Sequence, residues 1–258
     1  SFQPDEQIAQ VLAIRDYEQA PYLVLATRSG LVKKTRLAEY NSPRQAGVIA
    51  INFRDADDEL IGAELVNADD DILLVSRKGQ SIRFRADDSQ LRPMGRATSG
   101  VTGMKFRDGD SMLSMSIIRG EAVETEQFVF TITDGGFAKR TRIEDYRSQS
   151  RGGLGIKAMA LANEVRGVLV GAFIVVEGDE VLSVTSGGQV VRSPIDAAFR
   201  PMGRSTTGVK FVTPKSGDSV AQVARSVERH ETEDLEDEVA QGQDATITAT
   251  AEAPEENA

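Results

Sequence analysis

Ser29-Gly30-Leu31-Val32-Lys33-Lys34-Thr35-Arg36 is a turn followed by a basic strand, and the chain repeats it three times. The later copies are Lys78-Gly79-Gln80-Ser81-Ile82-Arg83-Phe84-Arg85, Gly135-Gly136-Phe137-Ala138-Lys139-Arg140-Thr141-Arg142 and Gly187-Gly188-Gln189-Val190-Val191-Arg192-Ser193-Pro194. The turn glycines 30, 79, 136 and 188 lie 49, 57 and 52 residues apart. A short apolar, β-branched run precedes each turn, at 22–27, 71–76, 127–133 and 181–185, as expected of a strand entering a hairpin. A second apolar run closes each unit, at 59–66, 111–118, 168–175 and 219–224. A period near 50 built from strand-like segments predicts an all-β array of radially repeated blades.

The spacing divides residues 1–226 into four blades, approximately 15–66, 67–119, 120–176 and 177–226. Glu6 to Ile14 matches the closing strand of a unit whose earlier strands do not precede it, so residues 1–14 read as the last strand of a preceding blade. The chain thus reads as starting inside a repeat. The net charge of −10 comes entirely from 227–258, where 11 acidic residues meet one basic residue, Arg229. The composition of that segment predicts a disordered acidic tail on a neutral body.

Catalytic chemistry finds few candidates. There is no Cys, and the one His, His230, lies in the acidic tail, which removes disulfides, thiolate metal sites and His-based triads. Asp55-Ala56-Asp57-Asp58-Glu59 and Asp69-Asp70-Asp71 lack the spacing of a calcium loop and read as turn residues. No run of 18 apolar residues and no signal-like start occur, so the default compartment is the cytoplasm.

The recurring feature is positive charge. Four residues after the turn glycine stand Lys34, Arg83, Arg140 and Arg192; six after it stand Arg36, Arg85, Arg142 and Pro194. Lys33 and Lys139 adjoin this row. Alternation along a strand puts the fourth and sixth positions on one face and turns Thr35, Phe84 and Thr141 to the core. The expectation is one continuous basic outer rim. The loops add Arg44, Arg92 and Arg96, Arg147 and Arg151, and Arg200 and Arg204, beside Gly and small polar residues. Such a band suits a nucleic-acid backbone. Sparse aromatic interleaving favours duplex over single strand. Edge protection against sheet-to-sheet pairing is the structural alternative.

Gln149-Ser150-Arg151-Gly152-Gly153-Leu154-Gly155 resembles the gyrase A box, Gln-Arg-Arg-Gly-Gly-Lys-Gly, and the blade pattern from Tyr22 to Arg225 resembles the C-terminal domain family of the bacterial gyrase A protein. Gln149, Arg151, Gly152, Gly153 and Gly155 match the box, whereas Ser150 and Leu154 replace its second Arg and its Lys. The resemblance implies a β-pinwheel whose four-stranded blades exchange strands, and a monomeric, non-catalytic module that binds and wraps duplex DNA for negative supercoiling. It also implies the remainder of gyrase A and gyrase B as partners, ATP and Mg2+ as cofactors of the parent enzyme rather than of this segment, and a place at the bacterial nucleoid. The equivalent domain of the topoisomerase IV A-type subunit is the nearest alternative, and a propeller scaffold for protein partners is the rival of another class.

Overall fold

The computed structural model describes residues 7–43, 47–120 and 125–226. Arg44 and the acidic tail with His230 lie outside the described residues. The first repeat supplies β1 (Tyr22–Thr27), β2 (Leu31–Arg36) and β3 (Leu60–Val66). The second supplies β4 (Asp71–Ser76), β5 (Gln80–Arg85), β6 (Val101–Thr102) and β7 (Met112–Ile118). The third supplies β8 (Gln127–Thr133), β9 (Phe137–Arg142), β10 (Ile156–Lys157) and β11 (Leu169–Val176). The fourth supplies β12 (Glu180–Thr185), β13 (Val190–Pro194), β14 (Val209–Lys210) and β15 (Val220–Ser226).

The short strands belong to their neighbours. The sheet orders are β3-β1-β2-β6, β10-β5-β4-β7 and β11-β8-β9-β14, so each of the first three blades takes its outer strand from the next repeat. All these pairings are antiparallel. The fourth sheet, β13-β12-β15, has three strands. A glycine with positive φ precedes each exchanged strand: Gly100 at 83°, Gly155 at 72° and Gly208 at 72°. Close approach as well as conformation demands it, because a Cβ on Gly155 would stand 2.1 Å from the Ser81 carbonyl oxygen.

Residues 7–14 form no strand, against expectation, and Ile8 and Val11 are exposed. Each closing strand pairs with the first strand of its own blade's hairpin, and the described residues contain no such hairpin before residue 15. Leu12 and Ile14 instead pack against Leu23, Leu25 and Leu37.

The core lies between the sheets. Val24 and Ala26 of β1 pack with Ile72 and Leu74 of β4. Leu73 and Val75, on the other face of β4, pack with Val129 of β8. Phe128, Phe130 and Ile132, on the other face of β8, pack with Val181 of β12. Phe130 adds ring contacts with Phe173, Phe199 and Phe211 at 5.2–6.1 Å between centroids. Inner strands are therefore apolar on both faces, which accounts for their continuous rather than alternating hydrophobicity.

Two covered faces also overturn the expectation of one basic rim. Lys33, Lys34, Lys139 and Arg140 are buried. Lys34 Nζ donates to the Ala86 carbonyl at 2.5 Å and to Asp88 at 2.9 Å. Arg83 Nη1 donates to the carbonyls of Ile143 and Tyr146 at 3.1 and 3.2 Å, while its Nε bonds Asp71 at 2.6 Å. Arg140 Nη2 donates to the Asp196 carbonyl at 3.0 Å and to Glu177 at 3.2 Å, and its guanidinium lies 4.6 Å from the centre of the Phe128 ring. Each of these three cations reaches a loop of the following repeat. Lys33 Nζ holds the carbonyls of Ala50 and Arg96, and Lys139 Nζ those of Gly203 and Arg204. Arg192, with no later repeat among the described residues, stays half-exposed and pairs with Glu180 inside its own hairpin. Thr35, Phe84 and Thr141 are buried as expected.

Two outcomes follow from this packing. In urea unfolding, Gly155→Ala should lose roughly 2–4 kcal/mol, as a Cβ clash adds to backbone strain. Gly178→Ala, with φ of 92° and open space around it, should lose only about 1 kcal/mol. The second outcome concerns Lys139, whose pKa burial lowers from 10.5 to about 7, with Arg204 acting in the same direction. A lysine whose folded pKa lies below its unfolded value is penalised at low pH, and that penalty is relieved as pH rises from about 7 towards 10.5. Lys139→Met, which leaves two carbonyls without their donor, should cost about 1–3 kcal/mol near pH 7. The stability gap between wild type and variant should widen from pH 7 to pH 10, as read by denaturation at each pH.

Candidate nucleic-acid interface

With the inter-blade cations accounted for, the surface charge sorts by register. At the sixth position after the turn glycine, Arg36, Arg85 and Arg142 are exposed. Strand β2, β5 or β9 ends at each of them, where the covering blade no longer reaches. Their partners are loose: Arg85 lies 3.7 Å from Asp71 and 3.8 Å from Asp87, Arg142 lies 3.1 Å from Glu126, and Arg36 stands over the Tyr22 ring at 5.9 Å. The Ser89 hydroxyl and nearby amides hold the Asp87 carboxyl below its ordinary range. Exposed pairs of this kind contribute little and can be exchanged for other anions.

The loop arginines divide into two sets. Arg92, Arg147 and Arg200 occupy equivalent positions in successive repeats and are exposed, and no side-chain partner engages them among the described residues. Arg96, Arg151 and Arg204 are half-buried and reach back to the preceding repeat. Arg96 Nη1 donates to the Ile49 carbonyl at 3.0 Å, Arg151 Nη1 to Thr102 at 3.0 Å, and Arg204 Nε to Asp145 at 3.2 Å. Expected as free phosphate ligands, these three are committed to main-chain carbonyls that no sheet satisfies.

The heptad at 149–155 is a joint between repeats. The Gln149 amide donates to the Arg83 carbonyl at 2.7 Å, and the Gly152 amide to Gly103 at 2.6 Å. The Lys105 amide donates back to the Gly153 carbonyl at 2.9 Å. Arg151 Nε bonds the Gln90 carbonyl at 2.5 Å. Ser150 and Leu154 point outward, Leu154 being 44% exposed.

The acidic clusters divide: Asp71 opens β4 and pairs with Arg83, whereas Asp58, like Asp110 and Asp218 of later repeats, serves a turn. Asp58 accepts from the Ser29 amide and hydroxyl, Asp110 from the Lys78 amide and the Ser76 hydroxyl, and Asp218 from the Gly187 amide and the Ser186 hydroxyl. The Ser186 hydroxyl leads the interactions that hold Asp218 far below the usual carboxylate range. Among the described residues no group of three acidic, His or Cys side chains is placed to hold a metal ion. No helix of the described residues is long and apolar enough to cross a membrane.

The exposed cations outside the expected set include Lys78, Lys105 and Arg107. Lys105 and Arg107 follow the exchanged strand β6, and their placement becomes readable only once that strand is assigned to its neighbour's sheet.

The model of the DNA gyrase C-terminal domain, beta-propeller family matches residues 21–67, 70–119, 127–175 and 179–226. The DNA gyrase A protein of Nocardioides sp. is 72% identical over 262 residues, covering 92% of this chain and 28% of that protein. The DNA gyrase A protein of Streptomyces coelicolor is 54% identical over 264 residues, covering 98% and 30%. The chain thus spans less than a third of these relatives. Among solved structures, a DNA gyrase A C-terminal domain superposes with TM-score 0.74 at 25% identity, covering 88% of this chain and 72% of that one. The C-terminal domain of a DNA topoisomerase IV gives 0.78 at 22% identity, covering 94% and 73%, a likeness of fold. The match in all four repeats, together with these relatives, shows that the chain belongs to the DNA gyrase C-terminal domain, beta-propeller family.

Proposed function

We propose that this chain is a non-catalytic module that binds duplex DNA along its phosphate backbone and bends it. The observation that carries the reading is the set Arg92, Arg147 and Arg200: three exposed guanidinium groups, one per repeat at equivalent positions, with no side-chain partner among the described residues. A periodic row of forked donors matches a periodic row of phosphates and carries no sequence information. Arg36, Arg85 and Arg142 add three exposed cations: Arg36 lies over the Tyr22 ring, and Arg85 and Arg142 form solvent-exposed ion pairs that hold them only weakly.

Within the larger protein of its relatives, such a module helps present a DNA segment for ATP-dependent negative supercoiling, beside the rest of gyrase A and gyrase B. On this reading ATP and Mg2+ act elsewhere in that enzyme, and the chain works at the bacterial nucleoid. The identities of 72% and 54% to gyrase A proteins favour gyrase over topoisomerase IV as the parent.

Binding of a mixed-sequence duplex of about 40 base pairs, followed by anisotropy across a salt series, tests the reading. Replacing Arg92, Arg147 and Arg200 together by Ala should flatten the slope of log K against log salt by about 3 if each neutralises one phosphate. Unchanged affinity in the triple variant sinks the row as the interface. The tail supplies a second outcome. Ending the chain after Ser226 removes a net −10, a tethered polyanion that competes for the same cations. Truncation should tighten duplex binding most at low salt, with the gain vanishing as screening grows. Equal low-salt affinity would limit the tail to a solubilising role.

A further inference from the structure

The three exchange joints are built alike but charged differently. Each carries an equivalent amide-to-carbonyl bond from the earlier repeat to the later one: Asn52 to Thr98 at 3.2 Å, Lys105 to Gly153 at 2.9 Å, and Ala160 to Thr206 at 3.0 Å. The residues placed at these joints are therefore Asn52, Lys105 and Ala160, and two residues further on stand Arg54, Arg107 and Ala162. Arg54 is engaged, its Nη2 donating to the Gly100 carbonyl at 2.7 Å. Lys105 and Arg107 are exposed, and no side-chain partner engages them among the described residues. Positive charge free to meet a ligand therefore gathers at the joint between the second and third repeats.

That joint is also concave. Lys78, Lys105, Arg107, Asp110, Leu154 and Gly155 contribute to the lining of a 240 Å3 cavity. The parallel bridge between Met104 and Gly153 sets Lys105 next to Leu154 in register. Among the described residues Asp110 forms no ion pair with these cations; its oxygens accept from the Lys78 and Ser111 amides and the Ser76 hydroxyl, and its single negative charge faces the three positive charges of Lys78, Lys105 and Arg107. Lys78 Nζ donates one bond, to the Asp108 carbonyl at 2.9 Å, and keeps two donors.

We propose that this concavity is a phosphate-anchoring subsite for duplex DNA, in which Lys105 and Arg107, with Lys78 beside them, grip the backbone where the heptad itself carries Leu154. The proposal rests on the duplex-binding reading above and makes that interface uneven, with its strongest hold at the second–third joint. Charge absent from the heptad in sequence is restored in space by the preceding repeat. The third–fourth joint, with Ala160 and Ala162, has no such grip.

The test uses the 258-residue chain and the same mixed-sequence duplex. Lys105→Ala/Arg107→Ala should keep the wild-type melting temperature, weaken binding about tenfold at about 100 mM salt and lower the salt slope by about 2. Leu154→Lys, which adds a cation to the same wall, should tighten binding and steepen the slope by about 1. Arg15→Ala/Lys215→Ala removes equal charge outside the concavity and should change affinity by less than about threefold. Equal losses in the two double variants would show diffuse attraction and overturn the subsite. Unchanged affinity in Lys105→Ala/Arg107→Ala, with loss in the Arg92/Arg147/Arg200 variant, overturns the subsite and leaves the duplex reading standing. A wild-type chain that does not bind the duplex at any salt overturns both.

Discussion

Loop carbonyls trapped between blades must each find a donor, and that requirement governs how the repeats meet. Each repeat lays a loop across the strand of the repeat before it, and the carbonyls on that loop find no sheet partner. Lys34, Arg83 and Arg140 satisfy them from one side, and Arg96, Arg151 and Arg204 reach back from the other. Lysine and arginine suit this position because each carries several donors on a long stem and no acceptor. Burial of the charge opposes the arrangement, as the lowered pKa values of Lys33 and Lys139, about 8 and about 7, record. Breaking one side leaves either a buried cation or orphaned carbonyls, which favours a unique register between repeats.

Strand exchange and these cations work on the same joints. The exchanged strands β6, β10 and β14 are two residues long, too short to hold a blade alone. A glycine that lets backbone touch backbone enters each, and the cations fasten the loop just before it. The same loop presents Arg92, Arg147 and Arg200 outward. Fold and surface charge are thus coupled: the loop that lends its strand inward carries the guanidinium that faces solvent.

Strand positions, the period and the hairpin turns were legible in the sequence, because apolar β-branched runs bounded by Gly and Asp are local signals. The expected run 22–27 coincides with β1, and 71–76 with β4. The candidate interface was legible only in part. Arg36, Arg85, Arg92, Arg142, Arg147, Arg192 and Arg200 are exposed, whereas Lys33, Lys34, Lys139 and Arg140 are buried. For Lys34 and Arg140 the cause is that alternation distinguishes two faces of a strand but does not say whether a second blade covers the outer one; Lys33 and Lys139 share the inward face of Thr35 and Thr141, so alternation itself sets them apart from the rim.

Lys34 and Arg36 state the division most plainly. They sit two residues apart on one strand, share a face and carry the same charge, and nothing local separates them. A repeated array of β-hairpins, with a cation at a set distance from each turn, was written into the chain itself, since period, turn glycine and strand propensity are properties of neighbouring residues. Which cation became a buried rivet and which stayed in water came from the packing of one repeat on another. A residue's exposure depends on where the next repeat's loop ends, and that loop covers Lys34 and leaves Arg36 exposed.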